Sequence, residues 1–391
     1  MRVAMISRTV PPFDRGGIQR HVRDLAVALG RAGHKVDLVI GDGPVDIHEN
    51  VTVHTVRAIP LPRLTAGEYL SLSLLAARKA RSLGADVTHV HSMYGFGQAL
   101  LGGGPMVATL HGTQVNELRA AASSGGTLNH IATDSVSVVM EGFVARKAHR
   151  IIAVSEGNRR DVVEQYRVPA SRTTVIPNGV WPDEYRVSDM SESVVVAVGR
   201  LHERKGFDLL VRAFAKAAPD IGDHRLVVVG SGEMEGALRA LVRKEGVADR
   251  VRLAGFVPDD RLRAILSRAR LLAMPSRYEG FGMVMVEGMA AGLPVLATRA
   301  GAAPDVIRDG VNGFLAGPAS PGDRSRDGDT VDALAAALAD ALSDTARLRA
   351  MGSEARRTAV ERFSWDSVAS ATVEVYGAAI DAAAGRAIAP F

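Results

Sequence analysis

The chain has 391 residues, 47% of them hydrophobic and 23% charged, with a formal net charge of only +4 and no cysteine. That length exceeds what one hydrophobic core usually supports, so two domains are expected. The composition excludes a disordered or fibrous chain, and the missing thiols exclude a disulfide framework, a thiolate metal site and a cysteine nucleophile.

No uncharged stretch reaches the roughly 18 residues of a membrane span, and the apolar run after Met1 is too short for a signal peptide. A cytoplasmic protein is expected. The preference for arginine over lysine reads as the mark of a GC-rich bacterial genome. Positive charge gathers in the front half, where Arg146, Lys147, Arg150, Arg159 and Arg160 form a cluster. A solvated helix face is the plainer reading of it; an anionic substrate, or peripheral contact with the inner face of a membrane, is the sharper one. Basic residues are not interleaved with aromatics as in nucleic-acid modules, so no nucleic-acid partner is expected.

In chain order, "RVAMIS" reads as a buried strand, Gly16 and Gly17 as a glycine loop, "IQRHVRDLAVALG" as an amphipathic helix and "HKVDLVIG" as a second strand, together a βαβ unit. There follow a helix from about Ala66 to Leu83, strands at "DVTHVHS" and "MVATLHG", a flexible stretch from Ala121 to Thr127, a helix from about Val138 to Lys147 and a strand at "RIIAVS". The pattern lapses between Pro177 and Ser193, a Pro-, Asp- and Ser-rich segment, and restarts at "VVVAVG". "HRLVVVGSG", "DRVRLAGFV", "RLLAMPS" and "LPVLAT" then repeat the layout, with Gly317 to Thr330 reading as a mobile surface loop.

Alternation of this kind argues parallel sheets covered on both faces. The expected architecture is α/β: two Rossmann-like doubly wound domains, 1–181 and 182–363, facing across a cleft. Ligands of such sheets sit beyond the C-terminal ends of strands, which selects Gly16, Gly17, His91, His111, Gly112, Arg200, Lys205, Gly230 and Glu279.

The most informative stretch is "SRYEGFGMVMVEGMAAGLPVLAT", Ser276 to Thr298. A helix from about Gly282 to Ala291 would offer free N–H groups at Gly282, Met283 and Val284 to a phosphate. Glu279 and Glu287 stand eight residues apart. Eight residues of helix span about 12 Å, more than the roughly 5 to 9.5 Å between the carboxyls of a glycosidase pair, so an acid/base couple is disfavoured. They can instead bracket a diphosphate, one accepting sugar hydroxyls and the other ribose hydroxyls; the plain alternative is a capping Glu279 and a solvent-facing Glu287. In "VGRLHERKG", Arg200 and Lys205 could neutralise that diphosphate. His89 and His91 share a strand face, but with no third ligand in sight no metal is expected. "GSGEME" lacks the third glycine of a dinucleotide fingerprint.

Taken together, "GGIQRHV", "TLHGT", "VIPNGV", "VGRLHERKG", "LVVVGSGEMEGAL", "LAGFVPDDRL", "MPSRYEGFGMVMVEGMAAGLPVLAT" and "DGVNGFLA" resemble the retaining glycosyltransferases of family 4, which have the GT-B fold. The likeness runs in order from residue 1 to about 376. It implies that Glu279 contacts donor-sugar hydroxyls, Glu287 the ribose, and backbone N–H groups from Phe281 to Val284 the phosphates. Arg200 and Lys205 would stabilise the departing diphosphate, and backbone groups of Phe256 and Val257 would hold the base. Gly16 and Gly17 would allow close approach to donor and acceptor, His111 would line the cleft at the reacting carbon, and His91 would lie on the acceptor side. Residues 364–380 resemble the family's last helix, which crosses back to the first domain. Trp181 stands where the family often has Asp.

The implied reaction is metal-independent transfer of a glucosyl, N-acetylglucosaminyl or mannosyl group, with no resident cofactor. The donor would be a UDP-sugar or GDP-sugar, UDP favoured, and the acceptor a hydroxyl of a polyol, aminocyclitol, glycan or lipid. A glycoside phosphorylase on the same fold and a non-catalytic nucleotide-sugar-binding protein are the alternatives. An NAD enzyme is disfavoured because "GGIQRHV" is not G-x-G-x-x-G.

Overall fold

A computed structural model describes residues 1–14, 16–59, 67–123, 128–318 and 323–385, with side chains except at 119–123 and 128–134. The chain divides into two compact units, Met1–Gly179 together with the segment from Trp365 onward, and Val180–Ser364.

The first unit is built on strands β1 (Arg2–Ile6), β2 (Lys35–Ile40), β3 (Val51–Thr55), β4 (Val87–His91), β5 (Met106–Leu110), β6 (Arg150–Ala153) and β7 (Thr173–Val175), all parallel in the order β3-β2-β1-β4-β5-β6-β7. Its helices are α1 (Gly17–Arg31), α2 (Gly67–Ser82), α3 (Phe96–Leu101), α4 (Gln114–Ser123), α5 (Leu128–Lys147) and α6 (Glu156–Tyr166). Parallel strands covered on both faces are apolar throughout rather than alternating, and every residue of β4 and β5 is buried. Helix α1 buries Val22, Leu25, Ala26 and Leu29, an i, i+3, i+4, i+7 stripe, and the chain leaves it through Gly33 at φ +84°.

The second unit carries β8 (Val194–Val198), β9 (Arg225–Val229), β10 (Val251–Gly255), β11 (Leu271–Met274), β12 (Val295–Thr298) and β13 (Gly313–Ala316), parallel in the order β10-β9-β8-β11-β12-β13. Its helices are α7 (Phe207–Ala217), α8 (Glu235–Lys244), α9 (Asp259–Leu266), α10 (Met283–Ala290), α11 (Ala303–Val306), α12 (Asp327–Ser343) and α13 (Thr345–Phe363). The last helix, α14 (Trp365–Ala383), belongs to the first unit, where it packs on α1, β4, β5 and β6 and buries Trp365 and Tyr376. Among the described residues no helix is long and apolar enough to cross a membrane.

Four sequence expectations change. Helix α5 starts at Leu128, ten residues ahead of the expected Val138, because the Ser-, Thr- and Val-rich first half has weak intrinsic helix propensity and hides its start. Ala121 to Ser123 belong to α4, and 124–127 lie outside the described residues. In the expected loop Gly317 to Thr330, Asp327 already opens α12, while 319–322 lie outside the described residues. The basic cluster is also not one solvated face, since Arg150 is 7% exposed and hydrogen-bonds the His149 carbonyl.

Candidate active site

In the second unit the strand order reverses between β8 and β11, and ligands of open α/β sheets bind where it does so. Both expected donor-binding loops leave the sheet there. Lys205 ends a 3₁₀ turn, Glu203–Lys205, after β8, and Glu279 follows β11. The Lys205 ammonium is ion-paired with the Glu279 carboxylate, and both side chains are largely buried, 20% and 10% exposed. Two glycines allow this approach. Gly206 has φ +65°, and a Cβ there would stand 2.0 Å from the Pro275 carbonyl oxygen; Gly301 has φ +55°, and its Cβ would stand 2.0 Å from the Glu279 carbonyl oxygen. A side chain at either position is excluded both by the left-handed backbone and by the neighbouring strand loop.

Gly282, at φ +89°, caps α10, which begins at Met283, so Glu279 precedes the helix. The first-turn N–H groups of α10, Met283 and Val284 among them, have no intrahelical acceptor. With Phe281 buried against Phe363, the loop holds its shape ahead of a helix end that favours anions. Glu287 is 6% exposed, which overturns the solvent-facing alternative. The helix explains it, since Met285, Val286, Met289 and Ala290 are buried too and leave no solvated face for the carboxylate.

Arg200 and Lys205 share a loop but not an environment. The Arg200 side chain is exposed, with its Nε 4.0 Å from Glu233, which also takes His202 Nε2 at 3.4 Å. Phe256, 66% exposed, and Val257 follow β10 and line a groove of about 470 Å³ together with Arg252, Arg261 and Arg268.

Sequence reasoning passed over Arg277, inside the same motif. Its buried guanidinium makes paired hydrogen bonds to Asp208 at 2.8 and 2.8 Å and reaches Asp327 at 3.2 and 2.7 Å, while Nη1 also donates to the Glu203 carbonyl. Burial alone would lower its pKa, yet the two carboxylates raise it overall. Arg277 therefore ties the β11 loop to the β8 loop, α7 and α12. The motif contained it, but its partners lie 69 and 50 residues away.

In the first unit the order reverses between β1 and β4. Gly16, in extended conformation at φ −64°, caps α1 in the connection that follows β1, and Gly17 is its exposed first residue. His91 ends β4, and His111 follows β5 with Gly112, where a Cβ would meet open space. His91 Nδ1 lies 3.1 Å from His111 Nε2. His89 is tied up by Tyr376 and Thr109, each hydroxyl 2.7 Å from a ring nitrogen.

His21, on α1, was not singled out from the sequence although it lies in "GGIQRHV". Its ring packs edge-on at 4.6 Å from His111 and 5.3 Å from Trp365. The third ligand that the sequence did not offer is thus present, since one ring nitrogen each of His21, His91 and His111 lies within 4.8 Å of the others. Burial pushes the pKa of His21 and His89 down to about 3, and burial with neighbouring histidines holds His91 and His111 well below the usual range. All four rings are neutral at pH 7. On α5, burial raises the Glu141 carboxyl to about 7, although the Tyr166 hydroxyl and the Gln114 N–H both donate to it.

Two family models match the chain: Glycosyltransferase Family 4 over residues 15–184 and Glycosyl transferases group 1 over residues 184–358. The MMP alpha-(1->4)-mannosyltransferase of Mycolicibacterium hassiacum is 32% identical, across 97% of this chain and 98% of its own. The D-inositol 3-phosphate glycosyltransferase of Segniliparus rotundus is 30% identical, across 100% and 91%. Among solved structures, the sucrose-phosphate synthase of Thermosynechococcus elongatus superposes with a TM-score of 0.76 at 22% identity, covering 96% of this chain and 98% of its own. The Anabaena protein HepE in complex with UDP-glucose gives 0.73 at 22% identity, covering 96% and 99%. These two likenesses establish the fold.

Proposed function

The chain belongs to the family 4, group 1 glycosyltransferases with the GT-B fold, and from that premise we propose that it moves a hexosyl group from a nucleotide diphosphate sugar to a hydroxyl acceptor, retaining the anomeric configuration. The observation that carries this reading is the buried Lys205–Glu279 pair set just ahead of the open N-terminus of α10. A diphosphate at the N–H groups of Met283 and Val284 would draw the Lys205 ammonium, and Glu279 would then accept hydroxyls of the donor sugar. Glu287, one turn into α10, would take the ribose hydroxyls, and backbone groups at Phe256 and Val257 the base. Arg200, which is exposed, would add positive charge to the diphosphate once it is bound.

In the proposed step the bond from the anomeric carbon to the diphosphate oxygen breaks while the acceptor oxygen bonds to the same face. The acceptor proton passes to the leaving diphosphate oxygen. Positioning and stabilisation of the charge developing on the diphosphate do the work, with no covalent enzyme intermediate. His111, His91 and the Gly16–Gly17 turn would lie on the acceptor side, and neither a metal nor a resident cofactor takes part. The mannosyltransferase and the inositol phosphate glycosyltransferase among the relatives support glycosyl transfer, and the UDP-glucose complex of a fold neighbour supports a nucleotide-sugar donor, UDP before GDP.

The test is a panel of UDP- and GDP-sugars assayed for slow donor hydrolysis without acceptor, then for transfer to polyols, aminocyclitols, glycans and lipid head groups. Retention is read from the anomeric configuration of the product. Turnover of a sugar 1-phosphate with no nucleotide present would replace the transferase by a phosphorylase.

A further inference from the structure

Glu141 is a carboxyl on α5 with none of its surface exposed. Its Oε2 accepts from the Tyr166 hydroxyl of α6 and, at 2.9 Å, from the Gln114 N–H. The Tyr166 oxygen lies 3.1 Å from the same N–H, so the tyrosine and the glutamate share it. Burial and the neighbouring carboxylate hold the Tyr166 pKa above its usual range, which keeps the hydroxyl a donor. Oε1 is buried without a hydrogen-bond partner, and the Ser92 hydroxyl faces the carboxyl and favours its charged form.

Both contacts lead to strand ends. Gln114 opens α4, and only His111, Gly112 and Thr113 separate it from β5, which ends at Leu110. Thr113 is fully buried, so the path of His111 is set by the strand on one side and by Gln114 on the other. Ser92 directly follows His91 at the end of β4 and opens the turn Ser92–Gly95, which packs on α5. Its φ of +51° is a left-handed conformation uncommon outside glycine, and such strain persists only where the surroundings over-determine it. One carboxyl therefore reaches the residue after His91 and the residue three beyond His111.

Burying a carboxyl is unfavourable, and an apolar side chain would fill the same space without that penalty. What an apolar side chain cannot do is accept an N–H that the start of a helix leaves without an acceptor. We propose that Glu141 is a positioning residue: by holding the Gln114 N–H and facing Ser92, it fixes the loops after β4 and β5, which adjoin His91 and His111, in one arrangement against α5. Only the kinetic arm of this proposal rests on the transferase reading, which puts those loops on the acceptor side.

The test compares Glu141→Leu, which removes the acceptor oxygens, with Glu141→Gln, whose amide oxygen can still accept from Gln114 and Tyr166. Amide hydrogen exchange of the full chain should quicken at 111–114 and at Ser92–Gly95 in Glu141→Leu and stay near wild type in Glu141→Gln. In the leucine variant kcat for transfer should fall by roughly 10- to 100-fold, the scale seen when partners that orient site residues are removed. The glutamine variant should recover most of it, and the donor KM should change far less in both. Glu141→Asp carries the test if the leucine variant does not fold: one methylene shorter, it keeps the charge but withdraws it from Gln114, and should show both losses. Wild-type exchange at the two loops in whichever of these variants folds would overturn the proposal, as would a glutamine variant no better than the disrupted one. Exchange that rises evenly over the whole first unit would make Glu141 a fold stabiliser only, and would overturn it too. Faster exchange confined to the two loops, in a protein without transferase activity, would fail the functional reading alone.

Discussion

The Lys205 ammonium and the Glu279 carboxylate are ion-paired across the point where the strand order of the second unit reverses, joining the loop after β8 to the loop after β11. In the ground state each neutralises the other; with a diphosphate bound, the ammonium has a second anion to serve. Replacing Lys205 by Ala should lower kcat by about two to three orders of magnitude, as loss of a preorganised donor does elsewhere. Glu279→Gln keeps shape and hydrogen bonding but loses charge, so it should weaken sugar recognition and raise the donor KM more than Lys205→Ala does. Steady-state kinetics on both variants, with wild-type rates in each as the adverse outcome, decide the assignment.

Gly206 makes a conformational prediction about the same loop. Gly206→Ala would place a methyl 2.0 Å from the Pro275 carbonyl oxygen at φ +65°. Strain in the left-handed region costs about 1–3 kcal/mol by itself, and relief of the clash must separate the loops that bear Lys205 and Glu279. Both urea stability and activity should fall. Gly236→Ala in α8 is the control, because its Cβ meets open space within a helix and should stabilise by about 0.5–1 kcal/mol.

Arg277 is the third lever. Removing one partner of a buried, hydrogen-bonded charge network leaves the others uncompensated, at a cost of about 3–5 kcal/mol. Arg277→Ala, which strands Asp208 and Asp327, should show that loss in denaturant unfolding. Arg277→Lys should recover only part of it, since an ammonium cannot make the paired bonds to Asp208. Full stability of the alanine variant would mean that the clamp is dispensable.

What the sequence made legible follows from which information is local. Buried parallel strands are short apolar runs such as "VVVAV" and "LLAM", so the alternating order could be read directly. Residues at strand ends, His91, His111 and Lys205, could be selected because topology fixes where ligands bind. Arg277 could not, because a buried arginine is recognised only by partners that the fold brings from α7 and α12. His21 was hidden for the same reason, being one histidine on an amphipathic helix until β4 and β5 bring His91 and His111 beside it. The segment around Asp327 misled in a different way. Asp, Gly and Ser mark loops, but acids also favour the first helical turn, and Asp327 and Asp329 are that turn in α12.

The buried histidines set the acid stability of the first unit. His21 and His89 titrate near 3, and His91 and His111 well below their usual range, in the folded chain, against about 6.5 when unfolded. Below about pH 6.5 the unfolded chain therefore takes up four protons that the folded one refuses, and stability falls as pH falls. Glu141 acts in the opposite sense. Its folded value of about 7 exceeds the unfolded one, so between about pH 4.5 and 7 the folded state holds a proton that the unfolded state has released, which favours folding on acidification. Four protons against one leave a net three, or roughly 4 kcal/mol per pH unit from these five groups between about pH 6 and 4.5. Unfolding of the first unit followed by hydrogen exchange at pH 7.5, 6.5 and 5.5 should show stability dropping most steeply over the last interval. His89→Gln, which can still bond Tyr376 or Thr109 but does not titrate, should flatten the slope by about one proton; an unchanged slope in that variant would show that His89 is not held neutral by the fold.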